Sequence, residues 1–230
     1  MDKISLSNIR NKALASLIMG IIIIGVILFL LAWTLNYWQA WIYLAIFSSS
    51  SIIITIYFLR HDPKLVERRL KVGPSAEKEK SQKVIQSFSF IFVIILVLIS
   101  VLDHRFHWSI VPWFLVVVSD VFIISGFVLL FFIYKENTYL SATIEVEKQQ
   151  KVISTGPYRI IRHPLYLNAV LLFIFTPIAL GSLWGLCVSF PAIASVIWRL
   201  INEEKTLSKN LPGYIEYCQI TRYRLIPLIW

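Results

Sequence analysis

The chain has 230 residues, of which 57% are hydrophobic and only 15% are charged. About a quarter of the residues of a soluble domain are charged, so this balance excludes an ordinary soluble protein and indicates an integral membrane protein. The formal net charge of +9 would also suit a nucleic-acid-binding protein. The basic residues, however, cluster in the predicted loops of one membrane face, which excludes that class.

Long apolar runs predict membrane spans along most of the chain. Four of them reach the roughly 20 residues that a helix needs to cross a bilayer, at 13–35, 41–59, 84–102 and 112–134. A fifth apolar region, 165–201, is too long for one span and is broken at Gly181-Ser182, which predicts a helical hairpin of two spans. The sequence therefore predicts an all-α transmembrane bundle of about six spans, followed by a cytoplasmic tail.

The distribution of basic residues predicts the orientation of this bundle. If the N-terminus lies inside, Arg105 is the one residue among 22 lysines and arginines that falls in an outside turn. Loops on the cytoplasmic side are enriched in lysine and arginine, so both termini are predicted to be cytoplasmic. The same charges favour contact with anionic lipid head groups.

We divide the chain into an N-terminal four-span region, 1–134, and a catalytic region, 135–230, that holds a loop, the hairpin and the tail. Between the second and third spans, the loop 60–83 alternates positive and negative residues. This pattern is typical of an amphipathic helix that rests on the head groups, and the alternative is that the loop covers a site.

The first polar cluster lies in the stretch GPYRIIRHPLY, which ends at Tyr166. Proline is favoured at the first position of a helix, so a span is predicted to begin at Pro164 with His163 near its cap. The free N–H groups and positive dipole end of that helix, close to Arg162, would suit a carboxylate or a phosphate.

A second polar cluster closes the hairpin. Arg199 and Glu203 are four residues apart and share a helix face. The simplest interpretation is an arginine that extends to the membrane surface and pairs with a glutamate. Because the hairpin is antiparallel, however, its start and its end must lie side by side, so both clusters are predicted to form one site.

Two further polar features of the sequence are an acidic residue inside a span and a pair of histidines in an outside turn. Asp120 lies well inside a predicted span, where a carboxylate is either functional or paired with a neighbouring helix, and the sequence does not decide between them. No metal site is expected, since His104 and His107 lack a third or fourth ligand nearby.

The motif GPYRIIRHPLY, followed by EEKTL and GYIEYCQITRYRLIP, resembles the isoprenylcysteine carboxyl methyltransferase family. It is also similar to the wider group of membrane methyltransferases that includes the phospholipid N-methyltransferases. The resemblance covers residues 135–230. It implies an S-adenosylmethionine-dependent enzyme in a prokaryotic cell membrane that methylates a lipidated or lipophilic acceptor.

The resemblance also implies roles for individual residues. Arg199 matches the substrate-side arginine, Glu203 matches the partner of the cofactor's ammonium, and the family's usual glycine is here Asn168. A carboxylate acceptor, which the planar fork of Arg199 favours, needs no base, whereas an amine would lose a proton to Glu204 or His163. The expected catalytic residues are Arg199, Glu203 and Glu204. The expected cofactor-binding residues are Gln150, Lys151, Val152, Ile153, Tyr158, Arg162, His163, Pro164, Leu165, Tyr166 and Glu203.

Two other classes of protein compete with this interpretation. Sterol-reductase-like membrane enzymes resemble the same C-terminal half but use NADPH, which requires a basic pocket for its extra phosphate and a longer bundle. A non-enzymatic transporter or scaffold is disfavoured, because transporters carry polar sites near the midplane and here the polar residues gather at one face.

Overall fold

The computed structural model describes residues 3–70, 73–77, 79–143 and 150–230. These residues form α-helices and two short 3-10 turns, with no strand, which confirms the all-α prediction. The α-helices are α1 (Lys3–Ala32), α2 (Trp38–His61), α3 (Pro63–Leu70), α4 (Lys80–Phe106), α5 (Trp113–Glu136), α6 (Pro164–Ala179), α7 (Trp184–Asn210) and α8 (Tyr214–Ile220).

Five of these helices, α1, α2, α4, α5 and α7, are long and apolar enough to cross a membrane. The predicted hairpin is present as α6 and α7, and α6 begins at Pro164 as expected. Helix α6, the first arm of the hairpin, has only 16 residues. At 1.5 Å per residue it is about 24 Å long, which is shorter than a hydrocarbon core of about 30 Å. The chain is thus a multi-pass membrane protein with five full-length spans and one short arm.

The spanning helices keep much of their apolar surface on the outside of the bundle. In α1 only 6% of the most apolar window is buried, and Ile22 and Leu30 are exposed. Such a surface is stable in lipid, where helices associate through close packing rather than through hydrophobic burial.

The hairpin packs tightly against α4 and α5 through glycines. A Cβ atom on Gly185 of α7 would lie 2.4 Å from Ser100 Oγ and 2.5 Å from Pro177 Cβ. A Cβ atom on Gly126 of α5 would lie 2.9 Å from Oδ1 of Asn168 on α6. Asn168 is accommodated at this position because the facing residue of α5 has no side chain.

A buried carboxylate joins the two turns at one end of the bundle. Asp103, at the end of α4, accepts hydrogen bonds from Ser109 Oγ (2.6 Å) and from Ser182 Oγ (2.6 Å) in the hairpin turn. Beside it, the ring of His104 stacks on Tyr37 at 3.6 Å between centroids. We call this end, opposite the start of α6, the turn end.

The loop after α2 lies at the opposite end. It contains the predicted surface helix as α3, which contacts α1 and α2. Its basic side chains also reach the segment after α5: Arg68 donates to the Thr138 carbonyl (2.7 Å) and Arg69 to the Ser141 carbonyl (3.1 Å). This loop therefore lies beside the segment that leads to the candidate site.

Candidate active site

A cavity of about 480 Å³ lies where the start of α6 meets the second half of α7. The 3-10 turn Gly156–Arg159, the segment after α5, and α8 close its sides. Twelve of the residues that the sequence singled out line this cavity. They are Gln150, Lys151, Val152, Ile153, Tyr158, Arg162, His163, Pro164, Leu165, Tyr166, Arg199 and Glu203.

The cavity is elongated and changes character along its length. On α6 its walls run from Pro164 to Phe173, nine residues further along, which corresponds to about 13 Å. Charged and tyrosine side chains surround the end near Glu203. The other end, between the helices, is lined mainly by the apolar side chains of Leu130, Ala169, Leu172, Phe173 and Val196, with Asn168 beside them.

Tyr158 is fixed from two sides by neighbouring elements. Its carbonyl accepts a hydrogen bond from the Tyr217 hydroxyl (2.6 Å), and its own hydroxyl accepts one from Asn137 Nδ2 (3.1 Å). Burial raises the pKa of the Tyr158 hydroxyl above its usual value and that of Tyr217 to about 12. Both side chains are therefore neutral near pH 7 and act as hydrogen-bonding groups rather than as charges.

The C-terminal tail holds the start of α6 in place. The backbone N–H of Arg162 donates to the Tyr223 carbonyl (2.9 Å), and that of His163 donates to the Arg224 carbonyl (3.0 Å). His163 occupies the position before α6, as predicted, and is buried. The tail is therefore part of the site's framework.

Glu204 does not line the cavity, although the sequence placed it among the catalytic residues. Three side chains surround its carboxylate: Arg162 (2.8 Å), Arg224 (2.7 Å) and the ring of His163 (3.2 Å). These contacts bind the end of α7 to the start of α6 and to the tail. Glu204 points to a different side of α7 from Glu203. It therefore stabilises the packing of the helices that form the cavity wall and does not face the cavity.

Glu203 does line the cavity, as predicted. Its carboxylate accepts a hydrogen bond from the Tyr166 hydroxyl, three residues into α6. This contact joins the first polar cluster, on α6, to the second, on α7. The prediction that the antiparallel hairpin brings the two clusters together is therefore confirmed.

Arg199 has a different ion-pair partner from the one that helix spacing suggests. Its Nη2 donates to Glu77 Oε1 (2.6 Å) and to the Ala142 carbonyl (2.9 Å), rather than pairing with Glu203. Glu77 lies just after the 3-10 turn Pro74–Ala76 and is only 3% exposed. The second terminal nitrogen of Arg199, Nη1, is buried without a hydrogen-bond partner among the described residues.

Asp120 lies apart from these residues. It is buried in α5 but does not line the cavity. Its Oδ1 has no hydrogen-bond partner in the described part of the chain. The geometry gives Asp120 no role in the candidate site.

Several residues that line the cavity were not predicted from the sequence. Gln86 and Ser89 of α4, Tyr134 of α5, and Tyr214 and Tyr217 of α8 all line it. The two α8 tyrosines belong to the quoted tail motif, so a signal for them existed. Nothing near Gln86 or Ser89 distinguishes them from other polar residues at the end of a span.

A comparison with protein families places this geometry in context. Residues 114–212 match the family model described as phospholipid methyltransferase. The matched stretch begins in α5, includes α6 and ends just after α7, so it contains Tyr158, His163, Arg199 and Glu203. No curated protein matches the sequence. The region 114–212, which supplies most of the cavity wall, is thus similar to the phospholipid methyltransferase family of membrane methyltransferases.

Proposed function

We propose that the protein transfers a methyl group from S-adenosylmethionine to a lipophilic acceptor that bears an anionic group, most simply a carboxylate. The observation that carries this proposal is the single cavity with two unlike ends, one charged and one apolar. A polar methyl donor and an apolar acceptor can meet in it without either leaving its preferred surroundings.

The residues at the charged end fit the methyl donor. Glu203 offers a carboxylate for the donor's ammonium, a pairing that forms charge-assisted hydrogen bonds. The start of α6 at Pro164 suits the donor's carboxylate, and the rings of Tyr158 and Tyr214 suit a cation. When bound, S-adenosylmethionine would supply a methyl group activated by its sulfonium sulfur.

Arg199 fits the acceptor's anionic group. Glu77 and the Ala142 carbonyl hold one edge of its guanidinium, while Nη1 is buried with no hydrogen-bond partner among the described residues. A buried donor of this kind is costly unless a ligand satisfies it. A carboxylate held there needs no base, so positioning, which can contribute about 7–11 kcal/mol, would supply most of the catalysis.

The apolar end suits the lipophilic part of the acceptor. Its aliphatic and aromatic side chains lie between helices that face lipid on their other sides. An acyl or isoprenoid chain would leave the bilayer interior for a similar environment, so it would bind here at little cost.

A phospholipid amine is the second candidate acceptor, and the family match favours it. An amine must lose a proton before or during transfer. Glu204 is a weak base because Arg162 and Arg224 hold its carboxylate. His163, which lines the cavity, is the remaining candidate for that role.

Two measurements test the proposal. Isothermal titration of the purified protein in detergent is expected to give binding of S-adenosylhomocysteine and none of NADPH; the reverse result would exclude a methyltransferase. With donor labelled in the methyl group and a membrane lipid extract, label that alkali releases as methanol identifies a methyl ester. Label that resists alkali, as an N-methyl group does, would contradict the carboxylate acceptor.

A further inference from the structure

A second groove, of about 530 Å³, lies between the start of α1 and the end of α2. None of the residues that line it lines the candidate active site. Its walls combine two arginines, Arg10 on α1 and Arg60 on α2, with apolar side chains such as Leu14 and Ile56. The function proposed above gives this groove no role.

The two arginines form a cationic rim and have no counter-charge bonded to them among the described residues. Both side chains are exposed, and neither has a hydrogen bond or an ion pair with any described residue. The nearest acid in sequence, Asp62, is engaged elsewhere, since its Oδ1 accepts the Leu65 N–H (3.0 Å). The groove therefore offers two guanidinium groups to an external anion.

The apolar wall lies one helical turn deeper than this rim on both helices. Leu14 follows Arg10 by four residues on α1, and Ile56 precedes Arg60 by four residues on α2. Residues four apart share a helix face and lie about 6 Å apart along the axis. Because α1 and α2 run in opposite directions across the bundle, both arginines lie on the head-group side of Leu14 and Ile56.

This arrangement of charge over apolar surface matches one end of a phospholipid. Guanidinium groups bind phosphate oxygens in a bidentate manner, and apolar side chains below them can pack against acyl chains. We propose that the groove binds an anionic phospholipid, with its phosphate between Arg10 and Arg60 and its acyl chains along Leu14 and Ile56. This site is independent of the methyl-transfer site.

Thermal unfolding of the full-length protein in mixed micelles tests the proposal. Dodecyl maltoside micelles would contain either phosphatidylglycerol or phosphatidylcholine with the same acyl chains, and tryptophan fluorescence would report unfolding. At about tenfold excess over the dissociation constant, phosphatidylglycerol is expected to raise the melting midpoint by roughly 3–6 °C more than phosphatidylcholine does. The difference should shrink when sodium chloride is raised from about 0.1 M to about 1 M.

Charge-removing variants locate the effect. Arg10→Gln combined with Arg60→Gln should abolish the preference for phosphatidylglycerol. Lys12→Gln removes the same single charge as Arg10→Gln from the same helix, but outside the groove, and should preserve the preference. If the double variant does not fold, each single variant should lose a measurable part of the shift. The proposal is overturned by equal midpoints in the two lipids, by a preference that survives the loss of both arginines, or by an equal shift with inorganic phosphate alone.

Discussion

Two neighbouring glutamates of α7 have opposite surroundings. Glu203 faces the cavity and accepts one hydrogen bond, from the Tyr166 hydroxyl. Glu204 faces away from it and is surrounded by Arg162, His163 and Arg224. Successive helical residues point about 100° apart, so one can serve a site while the next stabilises the fold. We expect substitutions at these two positions to fail in different ways.

Glu203→Gln is expected to weaken cofactor binding without unfolding the protein. The amide keeps the shape of the side chain but loses the charge that would balance the ammonium. The loss should be about 1.5–3 kcal/mol, the worth of a charge-assisted hydrogen bond, which is roughly ten- to a hundred-fold in dissociation constant. Titration with S-adenosylhomocysteine measures it. An unchanged dissociation constant would remove Glu203 from the cofactor site.

Glu204→Gln is expected to lower stability instead. A neutral amide would leave Arg162 and Arg224 facing one another across the wall of the site without a counter-charge. We expect a cost of about 2–3 kcal/mol, or roughly 4–12 °C in the melting midpoint. Below that midpoint, cofactor affinity should stay within about twofold of the original. Loss of affinity with an unaltered melt would mean that Glu204 contacts the ligand.

Arg199→Lys is expected to separate acceptor binding from cofactor binding. Lysine keeps the positive charge beside Glu77 but loses the planar fork, and with it the unpartnered Nη1. Turnover should therefore fall at least about tenfold while S-adenosylhomocysteine binds as before. Steady-state methyl transfer and titration on the same preparation measure both. Normal turnover would mean that Arg199 serves only the buried ion pair with Glu77.

The residues of the site were predictable where a short motif carried them, and not where the fold brought them from afar. Tyr158, His163 and Tyr166 lie within nine residues of one another, so the motif located them together. Glu77 reaches Arg199 from more than a hundred residues away. The sequence around it shows only alternating charges, which do not specify one ion pair. The structure places Glu204 outside the cavity wall, which the motif could not indicate because it marks both glutamates and does not separate their faces.

At the scale of helices, packing at the hairpin depends on the absence of side chains. Gly185→Ala would place a Cβ atom 2.5 Å from Pro177 Cβ, and the rigid proline ring cannot move aside easily. We expect a cost of about 1–3 kcal/mol, as for other overpacked sites. Gly20→Ala in α1 is the matched control, since its Cβ would meet nothing within 4 Å. Equal melting midpoints for the two variants would refute the tight junction between α4, α6 and α7.

Hydropathy located the helices but not their ends. The run 84–102 became α4 (Lys80–Phe106), and the run 41–59 became α2 (Trp38–His61). Polar residues at these ends keep their backbone hydrogen bonds in the helix while leaving the apolar layer, so a hydropathy window stops too early. The turn predicted at Gly181 is present, with a positive φ of 76°, but α6 before it has only 16 residues, so the full span predicted for this arm is too long.

At the scale of the whole molecule, the bundle has two chemically different ends. At the turn end, serine hydroxyls donate to Asp103 and so connect α4 to the hairpin turn. Arg105 at the same end donates to the Leu31 carbonyl of α1 (3.3 Å). The other end carries the candidate site, the groove between Arg10 and Arg60, and α3. Because α3 follows α2 and packs against α1, the start of α1 lies at the site end. The tail lies there too, paired with Arg162.

This arrangement predicts that the site end, with both termini, faces the cytoplasm. Among the lysines and arginines that the structure describes, Arg105 alone lies near the turn end, and basic loops are retained on the cytoplasmic side during insertion. In a background with Cys187→Ser and Cys218→Ser, a cysteine introduced at Ser5 should be protected in intact cells from a membrane-impermeant thiol reagent. A cysteine introduced at Asn36, in the turn between α1 and α2, should react. Reaction at Ser5 with protection at Asn36 would mean that the bundle is inserted the other way, so that the methyl donor would have to be supplied from outside the cell.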